Sequence, residues 1–209
     1  MLRGSATSVM PTNRPVPIES RALGTLSYIR SSIDAASSLA VPGLAGIVMG
    51  IIGVAAAVLT STPLLRAYWI TTWFSAAGLG FILGGTLLAR QATQRGGTLL
   101  SGPFRKLLLC LCPALFAGAV LTVMLLLTFR IELVSGTWLL LYGCAVISAS
   151  TVTNARSLPV VASMGAMFMA LGVTAFILPA STHTILLGAG FGGLHLVSGI
   201  LIGRINHGD

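Results

Sequence analysis

The chain has 209 residues, 55% of them hydrophobic and 8% charged, and a mean hydropathy of +0.96. Such a composition lies far from that of a water-soluble domain and leaves little chain for an aqueous catalytic or receptor domain. The net charge of +8 comes from eleven Arg and one Lys placed singly or in small groups at the ends of apolar runs, with no basic face interleaved with aromatics. It therefore marks membrane topology and speaks against nucleic-acid binding.

Residues 1–17 (MLRGSATSVMPTNRPVP) are rich in Pro, Ser, Thr and Arg and read as a flexible tail. They lack an apolar h-region and a small-residue cleavage site, so a cleaved signal peptide is not expected, and Met10 is an alternative start. Over residues 18–41 the apolar Ile18, Ala22, Leu26, Ile29, Ile33, Ala36 and Ala40 recur every three or four positions. That spacing predicts an amphipathic helix. Pro17 suits its first turn and Pro42-Gly43 ends it. Two placements fit: an in-plane interfacial helix with Arg21 and Arg30 near lipid headgroups, or a soluble helix capping the mouth of the bundle.

Six apolar runs follow, over about 43–62, 67–89, 107–129, 136–153, 158–179 and 183–203. Most reach about 20 residues, enough at 1.5 Å per residue to cross a hydrocarbon core about 30 Å thick. The expected fold is an all-α integral membrane protein with one transmembrane domain over 43–204 and a short tail over 205–209. In the first span Gly43, Gly46, Gly50, Gly53 and Ala57 form a ridge of small residues, the usual means of close helix approach in lipid. The second carries Ala76, Gly80 and Gly84 in a similar ridge, with Trp69 and Trp73 near one end as expected interfacial anchors. Pro113 in the third span removes a backbone donor and can kink it. The fourth is the shortest and most polar, with Tyr142, Cys144, Ser148, Ser150, Thr151 and Thr153. A three-residue break, Ala180 to Thr182, separates the fifth span from HTILLGAGFGGLHLVSGILIGR.

Near the spans, Arg30, Arg90, Arg95, Arg105, Lys106, Arg156 and Arg204 fall on one side, against Arg66 and Arg130 on the other. The positive-inside rule then places both termini in the cytoplasm. Gly53 to Arg90, Gly118 to Arg156 and Gly172 to Arg204 occupy comparable places in successive span pairs, the middle pair matching least well. The chain thus reads as three hairpins repeated in parallel, not as the inverted repeats common in secondary transporters.

With six spans, a Gly in the first helix of each pair, the link Leu178-Pro179-Ala180 and a closing Leu-Val-Ser-Gly-Ile-Leu-Ile-Gly-Arg, the plan resembles the HdeD-type bacterial membrane proteins linked to acid resistance. The likeness implies a bacterial cytoplasmic membrane and a stress-related role, with no catalytic residue to carry over. The long N-terminal amphipathic segment departs from it.

Chemistry-bearing residues are scarce. No Asp, Glu, Lys or Arg lies well inside a span, which argues against a pump or proton-coupled carrier. Cys110, Cys112 and Cys144 sit in apolar runs without the spacing of a metal or redox motif. No catalytic, cofactor-binding or metal-binding set emerges, and an enzyme is not expected. The one polar intramembrane cluster is His195 in the sixth span with Tyr142, Ser148 and Thr151 on the fourth. His195 either titrates in a small hydrated cavity or bonds as a neutral imidazole between helices; the Ser and Thr hydroxyls have the alternative of bonding to their own helix. His183 is expected at the membrane surface. The function expected is non-enzymatic, in envelope maintenance or stress response, with the lipid bilayer as partner and a second copy or another membrane protein as further candidates. The alternative is a small channel or facilitator for a neutral solute, passing near the fourth and sixth spans.

Overall fold

The computed structural model describes residues 23–26, 29, 41–94 and 102–207. The chain divides into two units, Met1–Ala36 and Ser37–Asp209. The expected tail over 1–17 lies outside the described residues, as does most of the expected amphipathic helix over 18–41. Within it, residues 23–26 and 29 are helical, and Leu23, Leu26 and Ile29 are exposed.

Among its described residues the second unit consists of helices and the short links between them, with no strand. Six of its helices are long and apolar enough to cross a membrane. They are α1 (Gly43–Ser61), α2 (Trp69–Gln94), α3 (Gly102–Leu127), α4 (Val134–Ser150), α5 (Leu158–Ile177) and a composite sixth span, Ala180–Asn206. The composite begins with a 3₁₀ turn, continues as α6 (His183–Leu187), loosens into a π-helical segment (Gly188–Leu194) and resumes as α7 (His195–His207). Several ends differ from expectation. α2 continues past Arg90 and α3 starts at Gly102, carrying Arg105 and Lys106 within the helix, because basic side chains are good helix formers and can extend from a helix end toward headgroups. Pro113 is accommodated inside α3.

Packing is uneven around the bundle. The most extensive contacts join α4 to α5 and α1 to the sixth span, in each case helices from different chain-adjacent pairs. Glycine makes both possible. A Cβ at Gly43 would lie 2.5 Å from the Gly199 carbonyl oxygen, and one at Gly53 would lie 2.4 Å from the Phe191 carbonyl carbon. Across α4 and α5, a Cβ at Gly143 would meet the Gly165 carbonyl oxygen at 2.7 Å, and one at Gly172 the Leu140 nitrogen at 2.7 Å. Backbones this close give up side-chain area for interhelical dispersion contacts, the driving force left when lipid is as apolar as the helix surface. Asn206 fastens the far end by donating from Nδ2 to the Val41 carbonyl, 3.1 Å away.

By contrast, α2 packs mainly on α1 and α3 mainly on α4, while α2 and α3 scarcely meet. These two are also the least covered spans. Their principal link is a small apolar group in which Leu88 packs near Leu107, Cys110, Leu111 and Ala149.

The link after α3 closes with Phe129 at φ 58°, where Arg130 N–H reaches the Leu125 carbonyl at 2.8 Å. This is the left-handed helix cap that normally calls for glycine. Phe129 is 89% exposed and gains no packing to offset the strain. Phe129→Gly is expected to raise stability by about 1 kcal/mol, the left-handed cost of an L-residue, seen as a higher midpoint of thermal unfolding in detergent. Arg130 Nε and Glu132 Oε1, 2.6 Å apart on the same link, form an exposed ion pair that adds little.

Candidate functional site

Where α2 and α3 stand apart, the bundle encloses a cavity of about 330 Å³. Its walls come from α1 (Met49, Ile52, Gly53), α2 (Trp73 through Phe81), α3 (Leu111 through Thr122), α4 (Trp138, Leu141, Tyr142) and the sixth span (Phe191, His195). No Asp, Glu, Lys or Arg is among them. Phe74, Phe81 and Leu115 belong to the wall and are also exposed, so the cavity opens sideways, between α2 and α3, on the apolar flank of the bundle.

The closed side is aromatic. Tyr142, Phe168, Phe191 and His195 form one cluster with ring centroids 4.8 to 6.2 Å apart. Trp73 leans on Phe191 at 6.1 Å, and Trp138 stacks on Trp69 at 5.9 Å while meeting Phe74 edge-on. Such tilted and offset arrangements are those the ring quadrupoles favour. Two hydrogen bonds take up most of the polarity here. Trp138 Nε1–H donates to Thr122 Oγ1 at 2.8 Å, and Thr122 in turn donates to the Gly118 carbonyl at 2.6 Å. Tyr142 Oη and His195 Nε2 are 2.7 Å apart.

His195 is 96% buried, with 4% of its surface exposed, and its Nδ1 has no hydrogen-bond partner of good geometry. The imidazole does interact with the backbone of Gly190 and Phe191, one turn back in the π-helical segment. The tautomer decides whether the Tyr142 phenol donates to Nε2 or accepts from it. The π-helical segment is rich in glycine (Gly188, Gly190, Gly192, Gly193), and it is also where α1 comes closest. One extra residue in the turn changes the rotational phase of everything after it, which sets His195 against α4.

Of the four residues singled out in the sequence, the structure brings together Tyr142 and His195 only. Ser148 and Thr151 are exposed and lie off the cavity wall; Thr151 donates back to the Ser148 carbonyl at 2.7 Å. Ser150 likewise bonds to Ile147 of its own helix. One further expectation is corrected. Trp73 is no interfacial anchor: it is 3% exposed, deep in the core, with an unpartnered Nε1. His183 is buried beneath the turn before it, its Nε2 3.4 Å from the Leu178 carbonyl oxygen.

The cavity itself was missed in the sequence. Its only trace there is a run of small residues on two helices, Ala76, Ala77 and Gly80 on α2 with Ala114, Gly118 and Ala119 on α3, a pattern that normally signals contact. Among the described residues no group of His, Cys, Asp or Glu is placed to hold a metal ion, and the three cysteines are unbridged. No protein-family model, no curated protein and no solved structure matches this chain.

Proposed function

We infer that the chain is a non-enzymatic, multi-pass protein of the bacterial cytoplasmic membrane that takes a neutral, lipid-soluble molecule from the bilayer into the cavity beside α2 and α3. The carrying observation is a wall free of charged side chains, opening sideways on the apolar flank. Ligand sites of this size are usually apolar with a few placed polar groups, and here those groups are mostly bonded to each other. A charged or strongly hydrated solute would lose its hydration without compensation. Envelope maintenance or stress response, as in the HdeD-type proteins that the chain resembles, fits a protein that binds without reacting. Both termini belong in the cytoplasm on the count of basic flanks. The neutral-solute channel has less support, because Ser148 and Thr151 do not extend the Tyr142–His195 pair into a polar path.

The parallel three-hairpin plan is supported by the packing. Write the hairpins as α1–α2, α3–α4 and α5 with the sixth span. The first helix of one, α1, packs on the second helix of the last, and α5 packs on α4, the second helix of the middle hairpin. A ring of three hairpins has one more interface of this kind, between α3 and α2.

A neutral photoactivatable aromatic diazirine, applied to the protein in lipid nanodiscs, tests the binding reading. Labelled peptides should include Met49 and Ile52 on the inner wall as well as the outward faces of the helices. Labelling confined to outward faces would remove the reading. Neutral-solute leak into liposomes above the protein-free background, lost in His195→Ala, would favour the channel in its place.

A further inference from the structure

We propose that the cavity is a slot for a single hydrocarbon chain of a membrane lipid, held where the third interface of the hairpin ring stays open. The proposal rests on the binding reading above and names its ligand class.

The two closed interfaces are built by glycine against backbone: Gly43, Gly46, Gly50 and Gly53 of α1 against the sixth span, and Gly165 and Gly172 of α5 against α4. The equivalent seam has the same kind of residue but lacks the approach. A Cβ at Gly80 on α2 would meet nothing within 4 Å, and one at Gly118 on α3 would meet only Leu141 Cδ1 at 3.7 Å. Small residues that line a gap leave room for a guest, and a gap of this kind within a bilayer is next to a high concentration of hydrocarbon.

Shape narrows the guest. The wall runs from Trp73 to Phe81 on α2 and from Leu111 to Thr122 on α3, a rise of about 12 and about 16 Å. A cavity of about 330 Å³ with apolar walls this long, open on the lipid-facing flank, suits an extended hydrocarbon chain. Chemistry narrows it further. Thr122 and Trp138 are bonded to each other, and so are Tyr142 and His195. Trp73 Nε1 and His195 Nδ1 have no hydrogen bond of good geometry but are fully covered by their own surroundings. The wall therefore offers length and apolar surface, with apolar burial as the driving force, and the headgroup of the lipid stays outside the mouth at Phe74, Phe81 and Leu115.

The molecule supplies its own reporter. Trp73 lies on the inner wall and is almost fully buried, so lipid on the outer surface of the bundle cannot touch its indole. In the full chain with Trp69→Phe and Trp138→Phe, emission from Trp73 is measured in nanodiscs whose phospholipid carries bromine along the acyl chains. A chain in the slot brings bromine to the ring and quenches it. Gly80→Leu, whose Cβ meets nothing within 4 Å and whose side chain would extend into the slot, is expected to remove most of that quenching while the protein stays folded, and Gly118→Val serves as a second filler. Quenching by brominated phospholipid identifies an acyl chain as the guest. Quenching seen only when a brominated polyisoprenol is added identifies a prenyl chain, the same chemistry from another source. Absence of quenching by both, in protein that is folded by its thermal transition, overturns the proposal. If the diazirine still labels Met49 and Ile52 in that case, the broader binding reading survives and only the chain assignment falls; if labelling is absent as well, both fall.

Discussion

Replacing Gly53 by leucine is expected to abolish the folded protein, and even Gly53→Ala should lower its thermal midpoint sharply. A Cβ at this position would lie 2.4 Å from the carbonyl carbon of Phe191, 2.5 Å from its oxygen and 2.6 Å from the nitrogen of Gly192. All three are backbone atoms of the π-helical segment, so no side chain can rotate away. Overpacking a core usually costs roughly 1–3 kcal/mol because neighbouring side chains adjust. Here α1 and the sixth span must separate, and that takes the contacts of Gly46, Gly50 and Gly199 with it. The cost should therefore exceed the usual range. Gly78→Leu on α2 is the control: its Cβ would meet nothing within 4 Å, and the site is exposed. Size-exclusion profiles of the two variants in detergent, after a series of heating steps, check the contrast. A Gly53→Leu protein that elutes and melts like the parent would mean that the tight helix pair is not what holds the bundle together.

That glycine shows how far the sequence could be read. Close approach along α1 was legible because Gly43, Gly46, Gly50 and Gly53 recur at helical spacing in a run too apolar for water. Its partner was not legible, since lipid imposes one depth on every span but no order around the ring. The same gap explains Trp73. Hydropathy placed it near the end of a span, where tryptophan usually anchors at the interface, but could not say whether the ring pointed outward or toward Phe191. The polar cluster failed for a reason present in the sequence itself. Tyr142 and Thr151 are nine residues apart, which at 3.6 residues per turn puts them about 180° apart on α4. They could not both face His195. The π-helical turn was hidden because Gly188, Gly190, Gly192 and Gly193 read equally well as a packing ridge, and the extra residue shows only in the hydrogen bonding. The open seam between α2 and α3 was hidden by the same ambiguity, small residues being suited to contact and to vacancy alike.

Tyr142→Phe is expected to destabilise the protein by about 1–3 kcal/mol although it removes a single oxygen. The imidazole of His195 sits in an aromatic surround of Tyr142, Phe168 and Phe191, with Nδ1 already lacking a well-formed bond. Taking away the phenol, 2.7 Å from Nε2, leaves the second nitrogen stranded in a medium where no water replaces it. His195→Leu should cost a comparable amount by stranding the Tyr142 hydroxyl. Once both polar groups are gone neither leaves a stranded partner, so the double variant Tyr142→Phe, His195→Leu should lose much less than the sum of the two, with a coupling of about 0.5–3 kcal/mol in a double-mutant cycle. Unfolding midpoints of the four proteins in one detergent supply the cycle. Additive losses would mean that each residue acts through its own packing and that the hydrogen bond contributes nothing. Strong coupling assigns His195 a structural part: a neutral post that ties the loosened turn of the sixth span to α4 and fixes the inner wall of the slot. The two single variants should then also weaken the quenching of Trp73 by brominated chains, because Tyr142 and His195 line the cavity and a wall that shifts changes its shape.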